Sequence, residues 1–195
     1  MENEELIYGI PKKDLVAGPI ELENGTYYNF KTYNLYVPNS VTSGTSAYIY
    51  YPGSGGSGND TKIINNVINT GNGEQIIVIP DDPYRDKKTF GTGHLDLIEN
   101  IGAANDVEIS NVNMMGFSAG GPATFGTLIN TIERYPNNGP HNAVFCDVVD
   151  FKVTPEQIDL LIRDQSTLMF FEPNKQITNF EKELAQAGVD VIICR

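Results

Sequence analysis

Basic residues are scarce in this 195-residue chain, where 13 Lys and Arg stand against 25 Asp and Glu for a formal net charge of −12. Binding to phosphate backbones is driven by Lys and Arg displacing counterions, so this balance argues against a nucleic-acid partner. Long apolar runs are missing as well. None approaches the roughly 18 to 20 residues that cross a bilayer, and the start, Met1-Glu2-Asn3-Glu4-Glu5, is acidic where an export signal is basic. The expectation is a soluble protein of the cytoplasm with no membrane partner. Only two cysteines occur, Cys146 and Cys194, both inside apolar runs. They read as small core residues rather than as a disulfide or a metal site. Histidine is equally sparse, with His94 and His141 alone.

What is present describes a globular α/β chain. About 40% of the residues are hydrophobic, and the length suits one three-layer domain better than two independent ones. Residues 1–25 lack clear periodicity and read as an N-terminal arm or edge segment, and residues 26–195 as a single domain. Within it, β-rich runs alternate with helical stretches, the pattern of a mainly parallel sheet covered on both faces. Strands are expected over residues 27–38, 47–51, 75–79, 113–117, 143–149, 168–171 and 189–194. The first two read as neighbours, in the manner of a hairpin. Helices are expected over residues 61–69, 94–105, 120–134, 155–165 and 178–187. Thr154-Pro155-Glu156-Gln157 carries a capping Thr, a Pro at the first helical position and a Gln three residues after the cap. Strand tyrosines such as Tyr27, Tyr48 and Tyr50 suit a sheet face more than a recognition surface.

Asn113-Met114-Met115-Gly116-Phe117-Ser118-Ala119-Gly120-Gly121 runs an apolar strand into Gly-x-Ser-x-Gly and then a helix. A sharp strand-to-helix turn lifts the serine above the end of the sheet, and small residues at Gly116 and Gly120 let the backbone turn without a clash. The helix behind it aims N–H groups and the positive end of its dipole at developing negative charge, with Ala119 supplying one N–H. Upstream, the strand at residues 47–51 ends in Pro52-Gly53-Ser54-Gly55-Gly56-Ser57-Gly58. Such glycines let the main chain approach a ligand. No Lys follows in the spacing of a phosphate-binding loop.

Together these two segments resemble the α/β-hydrolase family over most of the chain from about Thr26. The resemblance implies a three-layer fold, Ser118 as nucleophile, and an oxyanion hole from the N–H groups of Ala119 and Ser54. It also implies a chain order of Ser, then Asp or Glu, then His. For the acid, Glu172 after the strand at residues 168–171 is the first choice and Asp150 the alternative. Asp147 is expected inside a strand. The family histidine falls after the last strand, residues 189–194, and no histidine follows there. Three explanations stand: the sequence ends before that loop, another chain supplies the histidine, or the protein is a non-catalytic binding or assembly module on the same fold. The first is preferred. His94 lies on the side of the sheet that could make it a substitute base or a substrate contact, whereas His141 reads as a surface residue at the opposite end.

The activity implied is carboxylic ester hydrolysis by acyl transfer, without metal or organic cofactor. The short connection after residue 150 leaves no large cap, so an open site is expected, suited to a small ester or one on a larger carrier. An unfinished sheet edge predicts a homodimer.

Overall fold

A computed structural model of the chain describes residues 5–53, 73–80, 92–109, 111–172 and 178–194. A small antiparallel pair, β1 (Leu6–Ile7) with β2 (Ile10–Pro11), precedes the main sheet. That sheet contains β3 (Ile20–Leu22), β4 (Gly25–Asn29), β5 (Tyr33–Pro38), β6 (Ala47–Tyr51), β7 (Ile76–Pro80), β8 (Val112–Phe117), β9 (Ala143–Cys146), β10 (Thr167–Phe171) and β11 (Asp190–Cys194). The helices are α1 (Thr92–Ala104), α2 (Gly121–Arg134), α3 (Pro155–Asp164) and α4 (Asn179–Ala187). The expected helix at residues 61–69 lies outside the described residues.

Strand order is β11-β10-β9-β8-β6-β7-β5-β4-β3, parallel from β11 to β7 and antiparallel from β7 to β3. Three strand expectations are corrected here. Residues 27–38 are not one strand but two, because the chain reverses at Phe30, whose N–H donates to the Tyr33 carbonyl (2.9 Å). That turn has neither Gly nor Pro to mark it. The strands at residues 33–38 and 47–51 are not neighbours, since β7 inserts between them. All five residues of β7 are buried, as suits a strand flanked on both sides. Finally, β9 ends at Cys146 instead of running to Val149, because Asp147 takes a left-handed conformation (φ 50°) that no strand continues.

Alternate strand residues face a core shared with the helices, where Ile49, Val78, Met114, Phe145 and Phe170 meet Leu95, Ile98, Leu128, Leu161, Phe180 and Leu184. Phe180 packs against Phe151 at 4.0 Å between centroids and edge-on against Phe170 at 5.6 Å. Truncating such a ring to Ala costs about 3–5 kcal/mol. The other face carries a smaller cluster of Tyr36, Ile77 and Ile79 with Tyr27, Tyr48 and Tyr50 packed on it.

Helix ends follow local chemistry. Thr154 accepts from the Gln157 N–H (3.3 Å) while the Gln157 side chain accepts from the Thr154 N–H (2.9 Å). Thr178 and Glu181 repeat this box at the start of α4. In α2 three threonines are fully buried because each hydroxyl donates to the carbonyl four residues back: Thr124 to Gly120, Thr127 to Ala123 and Thr131 to Thr127. Among the described residues, no helix is long and apolar enough to cross a membrane.

Candidate active site

β8 delivers Phe117 in extended conformation (φ −113°), and the next residue, Ser118, turns to φ 50° before a single 3-10 turn, Ser118–Gly120, leads into α2. A left-handed serine costs about 1–2 kcal/mol, so the surroundings must hold it there. Two glycines make the turn sterically open. A Cβ on Gly120 would overlap the Tyr51 carbonyl oxygen and stand 2.9 Å from that of Pro52; one on Gly116 would overlap the Thr124 hydroxyl. The Ser118 carbonyl accepts from the Val149 N–H at 3.3 Å, tying the turn to the segment after β9.

The loop that leaves β6 passes beside this serine. A Cβ built on Gly53 would lie 3.1 Å from Cβ of Ser118 and 3.1 Å from the Phe117 ring. Ser54, the expected second oxyanion donor, lies outside the described residues. Ala119, the first, follows Ser118 directly in the 3-10 turn.

Register places the remaining groups. Phe117, Cys146 and Phe171 are aligned across β8, β9 and β10, with Cys194 beside Phe171 on β11. The chain therefore steps off the same sheet edge at Ser118, Asp147 and Glu172. Asp147 follows β9 rather than lying inside it, and its N–H donates to the Phe171 carbonyl at 2.9 Å. Glu172 is 2% exposed; its N–H donates to the Cys194 carbonyl (3.1 Å), and its Oε1 accepts from the Val148 N–H (3.2 Å). Ser118 and Glu172 stand two strand spacings apart, about 10 Å between backbones, a gap that one imidazole bonded on both sides fits. Asp150 is exposed and committed elsewhere: Oδ1 accepts from the Phe180 N–H (3.1 Å) and Oδ2 from the Asn179 side chain (3.4 Å) at the N-terminus of α4. That position complements the helix dipole.

Both cysteines are free and half-buried. Burial, and then the neighbouring Glu172 and Asp147 carboxylates, push the Cys146 thiol upward, away from its nucleophilic form. Among the described residues no group of three or more His, Cys, Asp or Glu is placed to hold a metal ion.

Neither histidine is hydrogen-bonded to Ser118 among the described residues. His94 lies in α1 with Nδ1 3.1 Å from the Tyr51 hydroxyl, which is 2.5 Å from Oγ1 of Thr127. Thr127 spends its proton on the Ala123 carbonyl (2.9 Å). The consistent chain of donors thus runs from His94 Nδ1–H to Tyr51, from Tyr51 to Thr127, and onward to Ala123. Burial lowers the His94 pKa to about 4 and raises that of Tyr51, so both are neutral near pH 7. His141 is not a surface residue: it is 4% exposed, with Nδ1 2.9 Å from Asp164 Oδ1 and its N–H donating to Oδ2 at 2.8 Å. The expectation failed because loop position does not reveal a buried carboxylate 23 residues onward. The threonines of α2, three and four residues apart, were the available sign of the buried relay to Tyr51.

No protein-family model and no curated protein sequence matches the chain. Solved structures do. A Klebsiella pneumoniae protein named as a candidate dienelactone hydrolase aligns with 92% of this chain and 84% of its own, at 13% identity and a TM-score of 0.56. Carboxyl esterase 2 of the fungus Tuber melanosporum aligns with 94% and 76%, at 15% identity and 0.54. A dienelactone-hydrolase-like promiscuous phosphotriesterase from metagenomic libraries aligns with 87% and 76%, at 13% and 0.54. The chain has the three-layer α/β-hydrolase fold, and these similarities concern that fold.

Proposed function

We propose that this chain is a serine hydrolase that cleaves carboxylic esters by acyl transfer through Ser118. The observation that carries the reading is the left-handed Ser118 between β8 and α2, beside Gly53 and on the sheet edge that also holds Glu172. Ser118 Oγ attacks the ester carbonyl carbon, and its proton passes to an imidazole. The N–H groups of Ala119 and Ser54 hold the oxyanion as the tetrahedral intermediate forms. Collapse expels the alcohol, which takes the proton back; water then repeats the sequence on the acyl-enzyme and frees the acid. Glu172 orients the imidazole. Because His94 and His141 are bonded to Tyr51 and Asp164, the imidazole in this reading comes from polypeptide other than these two residues. No metal or organic cofactor takes part.

Only residues 147–154 separate β9 from α3, too short a stretch for a large cap, which favours small esters or esters on a larger carrier. The net charge of −12 disfavours strongly anionic ones. A non-catalytic module on this fold is the second reading, favoured by the commitment of both histidines. Hydrolysis of p-nitrophenyl acetate with added imidazole separates the two. Catalysis predicts turnover above the Ser118→Ala protein in the same buffer, reduced at least about tenfold by Glu172→Gln. Equal rates for the parent and Ser118→Ala would favour the binding module.

A further inference from the structure

Tyr51 closes β6 where the sheet gives that strand least support. β7 stays in register with β6 only as far as Ile49, which lies opposite Val78, whereas β8 continues to Tyr51, opposite Gly116. Past Ile49, and among the described residues, the strand therefore has a ladder on one side alone. The chain then runs along the nucleophile turn. The Tyr51 and Pro52 carbonyls face the position that a Cβ on Gly120 would take, and Gly53 packs against Cβ of Ser118 and the Phe117 ring. A shift of the strand end would carry these contacts with it. The missing support comes from the far end of the Tyr51 side chain. Its ring is 1% exposed, and its hydroxyl is held from two helices, by Nδ1 of His94 in α1 (3.1 Å) and by Oγ1 of Thr127 in α2 (2.5 Å). The His94 ring also stands edge-on to that of Tyr51, with 5.8 Å between centroids. Thr127 is itself fixed to the Ala123 carbonyl (2.9 Å), in the helix that begins directly after the serine turn. A phenylalanine would fill the same volume without a buried hydroxyl that must find partners.

We infer that Tyr51, clamped by His94 and Thr127, is a positioning residue that sets the backbone of residues 51–53 against Ser118. The inference rests on the reading of Ser118 as nucleophile, in which the loop after β6 supplies one oxyanion donor. Such a donor acts on charge that develops only in the transition state. Loss of the clamp therefore lowers kcat and leaves KM where it was. In this role His94 acts through Tyr51 and not as a base.

Tyr51→Phe keeps the ring and removes the hydroxyl. With p-nitrophenyl acetate at a fixed imidazole concentration, its Ser118-dependent kcat should fall at least about tenfold, with KM within about twofold of the parent's. His94→Leu should fall likewise, whereas His94→Gln, which keeps a polar partner for the Tyr51 hydroxyl, should recover most of the loss. Ile101→Val trims a fully buried residue of the same helix without touching the hydroxyl bonds, and its kcat should match the parent's, which separates positioning from a general loss of stability. A second readout needs no turnover: the backbone amide NMR signals of Gly53 and Gly120 should broaden in Tyr51→Phe, while those of Leu161 in α3 and Leu184 in α4 stay sharp. An unchanged kcat in Tyr51→Phe, an equal fall in Ile101→Val, or Gly53 and Gly120 signals as sharp as the parent's overturns the proposal. A parent no faster than Ser118→Ala removes the serine reading and the catalytic role together, and the two amide signals then decide whether the clamp holds residues 51–53.

Discussion

Acidification should destabilise the packing of α1 on β6 through His94, which bonds Tyr51. Burial holds this imidazole near pKa 4 in the folded chain, against 6.5 when exposed. Between those values the unfolded chain binds a proton that the folded chain does not, so stability falls as pH drops through that window and the loss levels off below about pH 4. At pH 4.5 the difference amounts to about 2–3 kcal/mol, and at pH 7 to a few tenths. His94→Gln keeps a polar partner for Tyr51 and does not titrate. Urea unfolding followed by circular dichroism at pH 7, 5.5 and 4.5 would give both stability curves. Carboxylates such as Asp164 contribute equally to each and cancel in the difference. The variant should lose about 2–3 kcal/mol less than the parent between pH 7 and 4.5. Parallel curves would refute a half-buried His94 held neutral by desolvation. The site is involved because the Tyr51 carbonyl packs directly on Gly120.

Three further outcomes follow from the geometry. Ser118→Gly should raise the unfolding free energy by about 1 kcal/mol by relieving the left-handed serine, whereas Ser118→Ala should not; a lower melting temperature for the glycine variant would contradict the strain. Asp164→Ala strips the His141 N–H, the His141 ring and the Ser166 hydroxyl of their shared acceptor, and should cost at least about 3 kcal/mol in denaturant unfolding. The hydrogen bonds from Ser166 and His141 outweigh burial and hold the Asp164 carboxyl below its usual range, so its contribution is present at neutral pH and fades as pH falls through its folded pKa. Gly120→Ala forces a methyl against the Tyr51 carbonyl and should destabilise by about 1–3 kcal/mol; an unchanged unfolding midpoint would mean that the loop after β6 is not seated there.

The fold was legible where one local signal sufficed. The apolar runs that became β8, β10 and β11 and the capped helix α3 needed only periodicity and end chemistry. The turn at Phe30 was hidden because apolar and aromatic residues continue through it, and the insertion of β7 between β5 and β6 is a pairing choice that no local window contains. At the site, Gly-x-Ser-x-Gly between a strand and a helix was sufficient to locate the bend at Ser118, since the steric demands of that turn are local. The place of Glu172 at the end of β10 followed from counting strands, whereas its burial and bond to Val148 depend on β9 ending at Cys146. The commitments of His94 to Tyr51 and of His141 to Asp164 were out of reach, because each joins elements that only the assembled sheet brings together.

If the chain is a serine hydrolase, the half-buried Ser118 at the end of β8 must be reactive. Intact-mass detection of fluorophosphonate labelling, with imidazole present, tests this directly on the parent chain and on Ser118→Ala. One adduct on the parent, mapped to Ser118 and absent from the variant, is the predicted result. Equal labelling of both proteins, or none on a parent whose fold is intact, would contradict it.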